Sequence, residues 1–210
     1  AYCRFNDKYD IPLGYAYNGM NTDDGHYLRQ TLDTIIDNNK ILHPKRSLKD
    51  HILEGYKLLR KLLAEQEDHS VVFIALGPET NLARLLISEA DEYSELDGGL
   101  YGNEFDFPEW NIVNDLNAAQ ITFKEWPTPI IASGWELGNK IRYPHQSILN
   151  DFAGSYKHPL CVSYKIYQEM PYDRETWDLT SVLQAIEPGN NYFNLSEKGT
   201  ITIDSIGQSI

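Results

Sequence analysis

Several features that identify a class of protein directly from its sequence are scarce in these 210 residues. Cysteine occurs only as Cys3 and Cys161, which excludes a disulfide framework, and no spacing of Cys and His resembles a zinc site. No apolar run approaches the roughly 18 residues of a membrane-spanning helix. No signal peptide is visible, and the chain begins with Ala1 rather than Met. We therefore leave its localisation open between a cytoplasmic and an exported soluble protein.

Positive charge is also scarce, with 18 Lys and Arg against 31 Asp and Glu and a formal net charge of −13. Binding to a nucleic acid polymer is therefore not expected, because it needs clustered Lys and Arg that displace counterions. The excess of acid suits a neutral small molecule, a metal cation or a transition state that becomes positive, and it also suits solubility alone.

Two apolar runs, residues 71–76 and 128–134, are typical of strands buried inside a parallel sheet. Each is followed by a polar loop, and ligands of open α/β sheets bind at such loops. We predict an α/β fold with an open, mainly parallel sheet flanked by helices, in a single domain over residues 1–210. No strand is predicted in residues 88–108, and the tail, 199–204, alternates like an edge strand. Helices are predicted at 26–38, 47–63, 82–87, 116–124, 147–152, 159–170 and 179–186.

The short run 108–115 combines acids and amides around two apolar residues. Glu109 and Asn111 are two residues apart, so in an extended segment both side chains leave the same face. A carboxylate accepts hydrogen bonds while a carboxamide both donates and accepts them, which suits a polyhydroxylated ligand. The alternative is a polar loop whose Asn and Asp cap the helix that follows.

Three segments, in this order, resemble the nucleoside hydrolase family of the inosine–uridine-preferring type. Residues 75–83, ALGPETNLA, are similar to the family pattern G-P-L-T-N-[LI]-A. Gly102-Asn103, followed by Glu109-Trp110-Asn111 and Asp115, resembles G-N…E-F-N…D-P-x-A-A. Trp177-Asp178-Leu179 stands where the family has an H-D or W-D segment before a helix. The resemblance runs from about residue 70 to the end of the chain.

The resemblance implies the family's fold, with one calcium ion at the bottom of a pocket and a bound water that attacks the sugar. The Thr80 backbone carbonyl and the Asp178 carboxylate would be calcium ligands, in line with the preference of calcium for oxygen. Asn103, Glu109 and Asn111 would hold the ribose hydroxyls, and Asp178 would also contact the sugar. Asp178, Glu109 and Asn111 are therefore the predicted catalytic residues.

Each of these residues also has a purely structural interpretation. Thr80 could cap the helix that follows the Gly-Pro turn, and Asp178 could be the N-cap of the helix at 179–186. Trp177 could stack on the nucleobase, as could Tyr172 or Trp135, or these rings could be core packing.

Two parts of the family pattern have no counterpart that we find in the sequence. The opening motif D-T-D-x-G-x-D-D supplies the other calcium carboxylates and the Asp that accepts the proton of the water, and nothing in residues 1–30 matches it. The strand that ends in M-G-G has no room between Ser94 and Asn103. We therefore expect a piece of a longer hydrolase that lacks the general base and does not catalyse alone. The family histidine proposed to protonate a purine leaving group is Trp177 here, and an indole cannot deliver that proton.

The predicted function of the intact protein is hydrolysis of the N-glycosidic bond of a small-molecule ribonucleoside through an oxocarbenium-like transition state. A carboxylate about 4 Å from the developing charge contributes on the order of 4 kcal/mol at an effective dielectric near 20. The alternative is a non-catalytic ribose- or nucleoside-binding protein on the same scaffold. A third hypothesis is a glycosidase that uses Glu109 and Asp115 as its carboxylate pair. The oligomeric state is left open, and a homo-oligomer is compatible with the sequence.

Overall fold

The computed structural model describes residues 2–8, 10–17, 26–36, 40–41, 52–88, 97–100, 108–152 and 157–210. The predicted ribose ligand Asn103 lies outside these residues. The chain forms two compact units. Unit 1 contains Ala1–Leu13, Asn21–Ile52 and Arg142–Arg174, and unit 2 contains Gly14–Met20, Leu53–Ile141 and Glu175–Ile210.

The helices are α1 (Tyr2–Phe5), α2 (His26–Asp33), α3 (Gly55–Ala64), α4 (Thr80–Ile87), α5 (Trp110–Asn114), α6 (Leu116–Glu125), α7 (Trp135–Lys140), α8 (His145–Asn150), α9 (Pro159–Tyr167) and α10 (Leu179–Ile186). The strands are β1 (Gly14–Tyr15), β2 (Ile35–Ile36), β3 (Lys40–Ile41), β4 (Leu53–Glu54), β5 (Val72–Ile74), β6 (Asp97–Leu100), β7 (Ile130–Ala132), β8 (Arg142–Tyr143) and β9 (Arg174–Glu175).

The central sheet of unit 2 has three parallel strands in the order β5-β6-β7. Both apolar runs supply strands of this sheet, and the predicted open, parallel α/β architecture is confirmed. The prediction that these strands are buried is wrong, since Val72 is 56% and Ile131 43% exposed. The strand β5 leads into α4, and β7 leads into α7, so two strand-to-helix loops lie at the carboxyl edge of the sheet.

The prediction that residues 88–108 contain no strand is wrong. Residues 97–100, Asp-Gly-Gly-Leu, form the middle strand β6, with Val72 opposite Asp97 on one side and Gly98 opposite Ile130 on the other. The backbone ladders on both sides hold this strand, so it forms without the apolar side chains by which a strand is recognised in a sequence. The prediction that there is no room for a strand between Ser94 and Asn103 is therefore also wrong.

The core of unit 2 lies between the sheet and helices α3, α4 and α6. Ala75, Leu82 and Phe123 are buried together, and Leu63 and Leu85 form an adjoining cluster. This packing fixes the start of α4 directly beyond the end of β5, which is the position of the Gly-Pro-Glu-Thr segment.

Two predicted helices begin or end at different residues in the structure. The helix expected at 26–38 ends at Asp33, because Ile35 pairs with Ile41 in an antiparallel β2–β3 ladder. The apolar periodicity from which this helix is predicted does not mark its buried face, since Leu28 is 46% exposed while Thr31 is buried. The helix expected from 47 begins at Gly55, and its predicted start, 47–51, lies outside the described residues.

The tail forms a turned-back segment rather than an edge strand. Thr202 and Ile210 exchange backbone hydrogen bonds of 3.0 and 2.8 Å, and Ile203 pairs with Ser209. Gly207, with a φ of 91°, occupies the left-handed region that favours glycine at this turn. The helices α4, α6, α8 and α9 follow their predicted positions to within a few residues, and α10 has the predicted bounds. The short helices α1, α5 and α7 were not predicted.

Cys3 and Cys161 are both free thiols. Within the described ranges, the helices are all too short or too polar to cross a bilayer.

Candidate functional site

The loop after β5 brings two side chains into the interior at the start of α4. Glu79 and Thr80 are only 7% and 8% exposed. The Thr80 hydroxyl donates a hydrogen bond to Asp115 Oδ2, 35 residues further along the chain. The N-cap of α4 is Glu79, whose side chain makes no capping hydrogen bond. The hydroxyl of Thr80 therefore joins two segments of the chain and does not cap its own helix.

Asp115 links this loop to α6. Its second carboxylate oxygen, Oδ1, accepts a hydrogen bond of 3.4 Å from the backbone N–H of Ala118 and so caps the helix. The sequence alternative of a capping aspartate is correct for Asp115. Because the same carboxylate also accepts from Thr80, the cap fixes the first turns of α4 and α6 to each other.

Glu109 and Asn111 do not lie in an extended segment, so the basis on which they were predicted to share a face is wrong. Glu109 is the N-cap of α5, and its Oε2 accepts a 3.1 Å hydrogen bond from the backbone N–H of Ile112. The first N–H groups of a helix lack partners within the helix, and the Glu109 carboxylate supplies one. The two side chains still meet, since Asn111 Nδ2 donates to Glu109 Oε1 at 3.5 Å.

The pKa values of Glu79 and Glu109 are both raised in this region. Burial, together with the negative charges of Glu109 and Asp115, raises the pKa of Glu79 to about 8. Burial also raises the pKa of Glu109, against hydrogen bonds from the backbone N–H groups of Ile112 and Asn111, and the charge of Asp178 adds to the increase. Glu79, Glu109, Asp115 and Asp178, called the acidic cluster below, therefore come from three separate segments of unit 2 and act on one another electrostatically.

Asp178, the fourth member of the acidic cluster, is the residue directly before α10. It is half-buried, and its side chain makes no hydrogen bond that caps α10. The N-cap alternative thus describes its place in the chain but not the contacts of its carboxylate. Of the predicted site residues that the structure describes, Thr80, Glu109, Asn111 and Asp178 all belong to the cluster or contact it.

Trp177, which precedes Asp178, has an unusual backbone conformation that contacts with neighbouring residues stabilise. Its φ of 35° lies in the left-handed region, which is uncommon for a non-glycine residue. Gly138 allows this close approach, because a Cβ there would lie 2.6 Å from the Trp177 Cα. The Thr180 hydroxyl donates to the Trp177 carbonyl at 2.9 Å, and the rings of Trp177 and Trp135 are 5.7 Å apart. The backbone from which Asp178 projects is therefore fixed by several contacts.

The acidic cluster has the donor chemistry that a hard cation requires. All of its donors are oxygens, and one buried carboxylate oxygen, Glu79 Oε2, has no hydrogen-bond partner. Among the residues that the structure describes, however, no group of three or more His, Cys, Asp or Glu side chains lies close enough to hold a metal. Calcium takes about six to eight oxygen ligands, so these residues supply donors of the right kind without a closed ligand shell.

A cavity of about 440 Å³ lies in another part of unit 2 and is lined mainly by apolar side chains, among them Phe73, Ile131 and Phe193. The carboxylates of the acidic cluster do not line it. The case for a polar ligand therefore rests on the cluster and not on this cavity.

Glu79 is a residue of this region that was not predicted, although the sequence carries a signal for it. The family pattern G-P-L-T-N has leucine where this chain has Glu79. A carboxylate in place of a buried leucine is costly unless something compensates its charge. The replacement of leucine by glutamate at this position is therefore the signal that identifies Glu79.

A family model described as "Inosine-uridine preferring nucleoside hydrolase" matches residues 17–207. The match runs through both units, and it begins well before the predicted start of the resemblance near residue 70, which is therefore wrong. It includes residues 21–25, which lie outside the described residues. The prediction that the chain lacks the family's general-base aspartate stays a prediction.

Solved structures of nucleoside hydrolases have a similar fold. A plant nucleoside hydrolase, the PpNRh1 enzyme, has a TM-score of 0.69 at 17% identity, over 98% of this chain and 69% of that one. An inosine-guanosine nucleoside hydrolase has a TM-score of 0.68 at 17% identity, over 99% and 72%. The inosine-uridine preferring nucleoside hydrolase of Bacillus anthracis has a TM-score of 0.56 at 18% identity, over 81% and 59%. No curated protein sequence matches the chain significantly.

Proposed function

Because the chain belongs to the inosine-uridine preferring nucleoside hydrolase family, we propose that the intact protein hydrolyses the N-glycosidic bond of a ribonucleoside to ribose and free base. The observation that carries the proposal is the meeting of Thr80, Glu109 and Asp178, together with their acidic neighbours, in one region of unit 2. These residues come from the three segments that resemble the family's motifs.

Metal dependence is a general property of the family, and we propose calcium as the metal of this chain. The Thr80 backbone carbonyl and the Asp178 carboxylate would hold it. The oxygen-only donor set and the unpartnered Glu79 Oε2 support a hard cation. A cation held by these residues would supply an activated water for attack on the sugar.

The ribose would be held by Glu109, Asn111 and Asn103. The Glu109 carboxylate accepts hydrogen bonds from hydroxyl groups, while the Asn111 amide can both donate and accept. The contact between Asn111 Nδ2 and Glu109 Oε1, together with the bond from the Ile112 N–H, holds the carboxylate in place before the sugar arrives. A preorganised pair of this kind loses little conformational freedom on binding.

Glu109 and Asp178 would also stabilise the transition state. Cleavage of the N-glycosidic bond passes through an oxocarbenium-like cation, which is absent from the ground state. A negative charge close to that cation lowers the barrier more than it tightens substrate binding. In a partly buried cluster the effect is larger than in water, because screening by solvent is weaker.

The proposal is tested with the full-length protein, a panel of purine and pyrimidine ribonucleosides and an assay for free ribose. We expect ribose release that is lost after dialysis against a calcium chelator and restored by calcium. Saturable binding of a nucleoside without ribose release would favour the non-catalytic alternative. If no nucleoside in the panel is bound and none releases ribose, the assignment is contradicted.

A further inference from the structure

The last residues of the chain lie against the start of α5, where Glu109 is located. A turn at residues 204–208, called the tail turn below, includes Gly207, and the backbone N–H of Glu109 donates to the Gly207 carbonyl at 3.4 Å. Glu109 is the N-cap of α5, and the first N–H groups of a helix have no partner within the helix. The tail turn therefore supplies an acceptor to the residue whose carboxylate we propose as a ribose ligand.

Gly207 lies so close to α5 that a side chain at this position would not fit. It is buried, and a Cβ on it would lie 2.7 Å from Val113 Cγ2. Its φ of 91° also disfavours any residue that carries a side chain. The absence of a side chain is thus what allows the tail turn to reach the Glu109 N–H.

The shape of the tail turn is fixed by hydrogen bonds of its own. Asp204 Oδ1 accepts from the backbone N–H of Ile206 at 2.9 Å and from that of Gln208 at 2.8 Å. Gln120, on α6, donates from Nε2 to the Asp204 carbonyl at 2.9 Å. The turn is therefore anchored on α6, and this anchor sets where its contact with α5 lies.

We propose that the tail turn positions the Glu109 carboxylate for the ribose, with Gly207 as the contact and Asp204 as the residue that maintains the turn. The bonds from Asn111 and Ile112 fix this carboxylate relative to α5, whereas the bond to Gly207 fixes Glu109 relative to a distant segment of unit 2. The inference rests on the proposed function, because Glu109 acts there on the same sugar. A displacement of about 1 Å can cost about 100-fold in rate, so such an anchor affects catalysis without touching the substrate.

The test is steady-state hydrolysis of a ribonucleoside by the full-length protein and its variants. Gly207→Ala should lower kcat about tenfold or more, and kcat should change more than KM, because a displaced Glu109 loses its transition-state contact first. Gly199→Ala is the matched control in the same tail, since a Cβ on Gly199 has nothing within 4 Å, and it should leave kcat unchanged.

The same substitution in a Glu109→Gln background separates positioning from damage to the fold. If the tail turn acts through the Glu109 carboxylate, Gly207→Ala should change kcat of the Glu109→Gln protein by less than about twofold, because the carboxylate that it displaces is already absent. An equal fold decrease in both backgrounds would overturn the inference. A kcat of Gly207→Ala within about twofold of the unchanged protein would also overturn it.

Asp204 provides a second test that adds no side chain to the turn. Asp204→Ala removes the acceptor of the Ile206 and Gln208 N–H groups and should lower kcat. Asp204→Asn keeps an oxygen that can accept both bonds and should retain most of the activity. A folded Asp204→Ala variant with the kcat of the unchanged protein would contradict the role of the turn.

Failure of the inference and failure of the proposed function give different results. Nucleoside binding without ribose release by the unchanged protein overturns the proposed hydrolysis, and the nucleoside Kd from calorimetry then replaces kcat as the measurement. This Kd should rise about tenfold in Gly207→Ala and stay unchanged in Gly199→Ala. Ribose release by the unchanged protein at the same kcat as Gly207→Ala would overturn the inference alone.

Discussion

Replacing Glu109 by glutamine in the full-length protein is expected to lower kcat for ribonucleoside hydrolysis by up to about 1000-fold. The estimate follows from the roughly 4 kcal/mol that a carboxylate contributes at about 4 Å from a ribosyl cation, at an effective dielectric near 20. Because that cation forms only in the transition state, kcat should fall far more than KM changes.

The local structure should survive the Glu109→Gln substitution. The glutamine oxygen can accept the hydrogen bond from the Ile112 N–H, and the Asn111 amide can rotate so that its oxygen accepts from the new amide. The measurement is steady-state kinetics alongside circular dichroism, with Glu125→Gln as the control for removal of one negative charge. A decrease in kcat of less than tenfold in a folded variant would contradict the role of Glu109.

The second large effect concerns the leaving group. By the motif resemblance, Trp177 takes the position of a histidine proposed to protonate the departing purine, and its indole N–H is a donor that does not give up its proton at neutral pH. A general acid contributes about 100- to 10,000-fold to such a step. We therefore expect 4-nitrophenyl ribofuranoside, whose leaving group needs no proton, to be hydrolysed with a kcat/KM about 100-fold or more above that of inosine.

Two variants test this account of Trp177. Trp177→His should raise kcat/KM for inosine and so decrease the ratio of the kcat/KM values of the two substrates. Histidine tolerates the left-handed backbone at this position better than most residues. Trp177→Phe, which keeps an aromatic ring beside Trp135 and adds no acid, should leave this ratio unchanged. Equal kcat/KM values for the two substrates in the unchanged protein would show that the leaving group is activated by another residue.

The parts of the fold that could be predicted from the sequence are those in which side-chain pattern and structure agree. The apolar runs of β5 and β7 and the periodicity of α10 locate these elements correctly, although Val72 is 56% and Ile131 43% exposed. The strand β6 could not be predicted this way, because Gly98 and Gly99 contribute backbone pairing without side chains. Likewise α2 ends at Asp33 because Ile35 pairs with a later strand, a contact that local periodicity does not contain.

The candidate site was predictable as a set of residue types and only partly as an arrangement. Thr80, Glu109, Asn111 and Asp178 could be named from motif resemblance, and the structure brings their segments together in unit 2. The extended geometry inferred for Glu109 and Asn111 is wrong, because spacing in the sequence does not reveal that Glu109 caps a short helix. The link from Thr80 to Asp115 spans 35 residues, so only tertiary packing determines it.

The most direct test of the account is a crystal structure of the full-length protein with calcium and ribose. The account predicts calcium on the Thr80 carbonyl and the Asp178 carboxylate, with ribose hydroxyls on Glu109 and Asn111. A calcium ion bound away from the acidic cluster, or ribose bound without contact to Glu109, would contradict it.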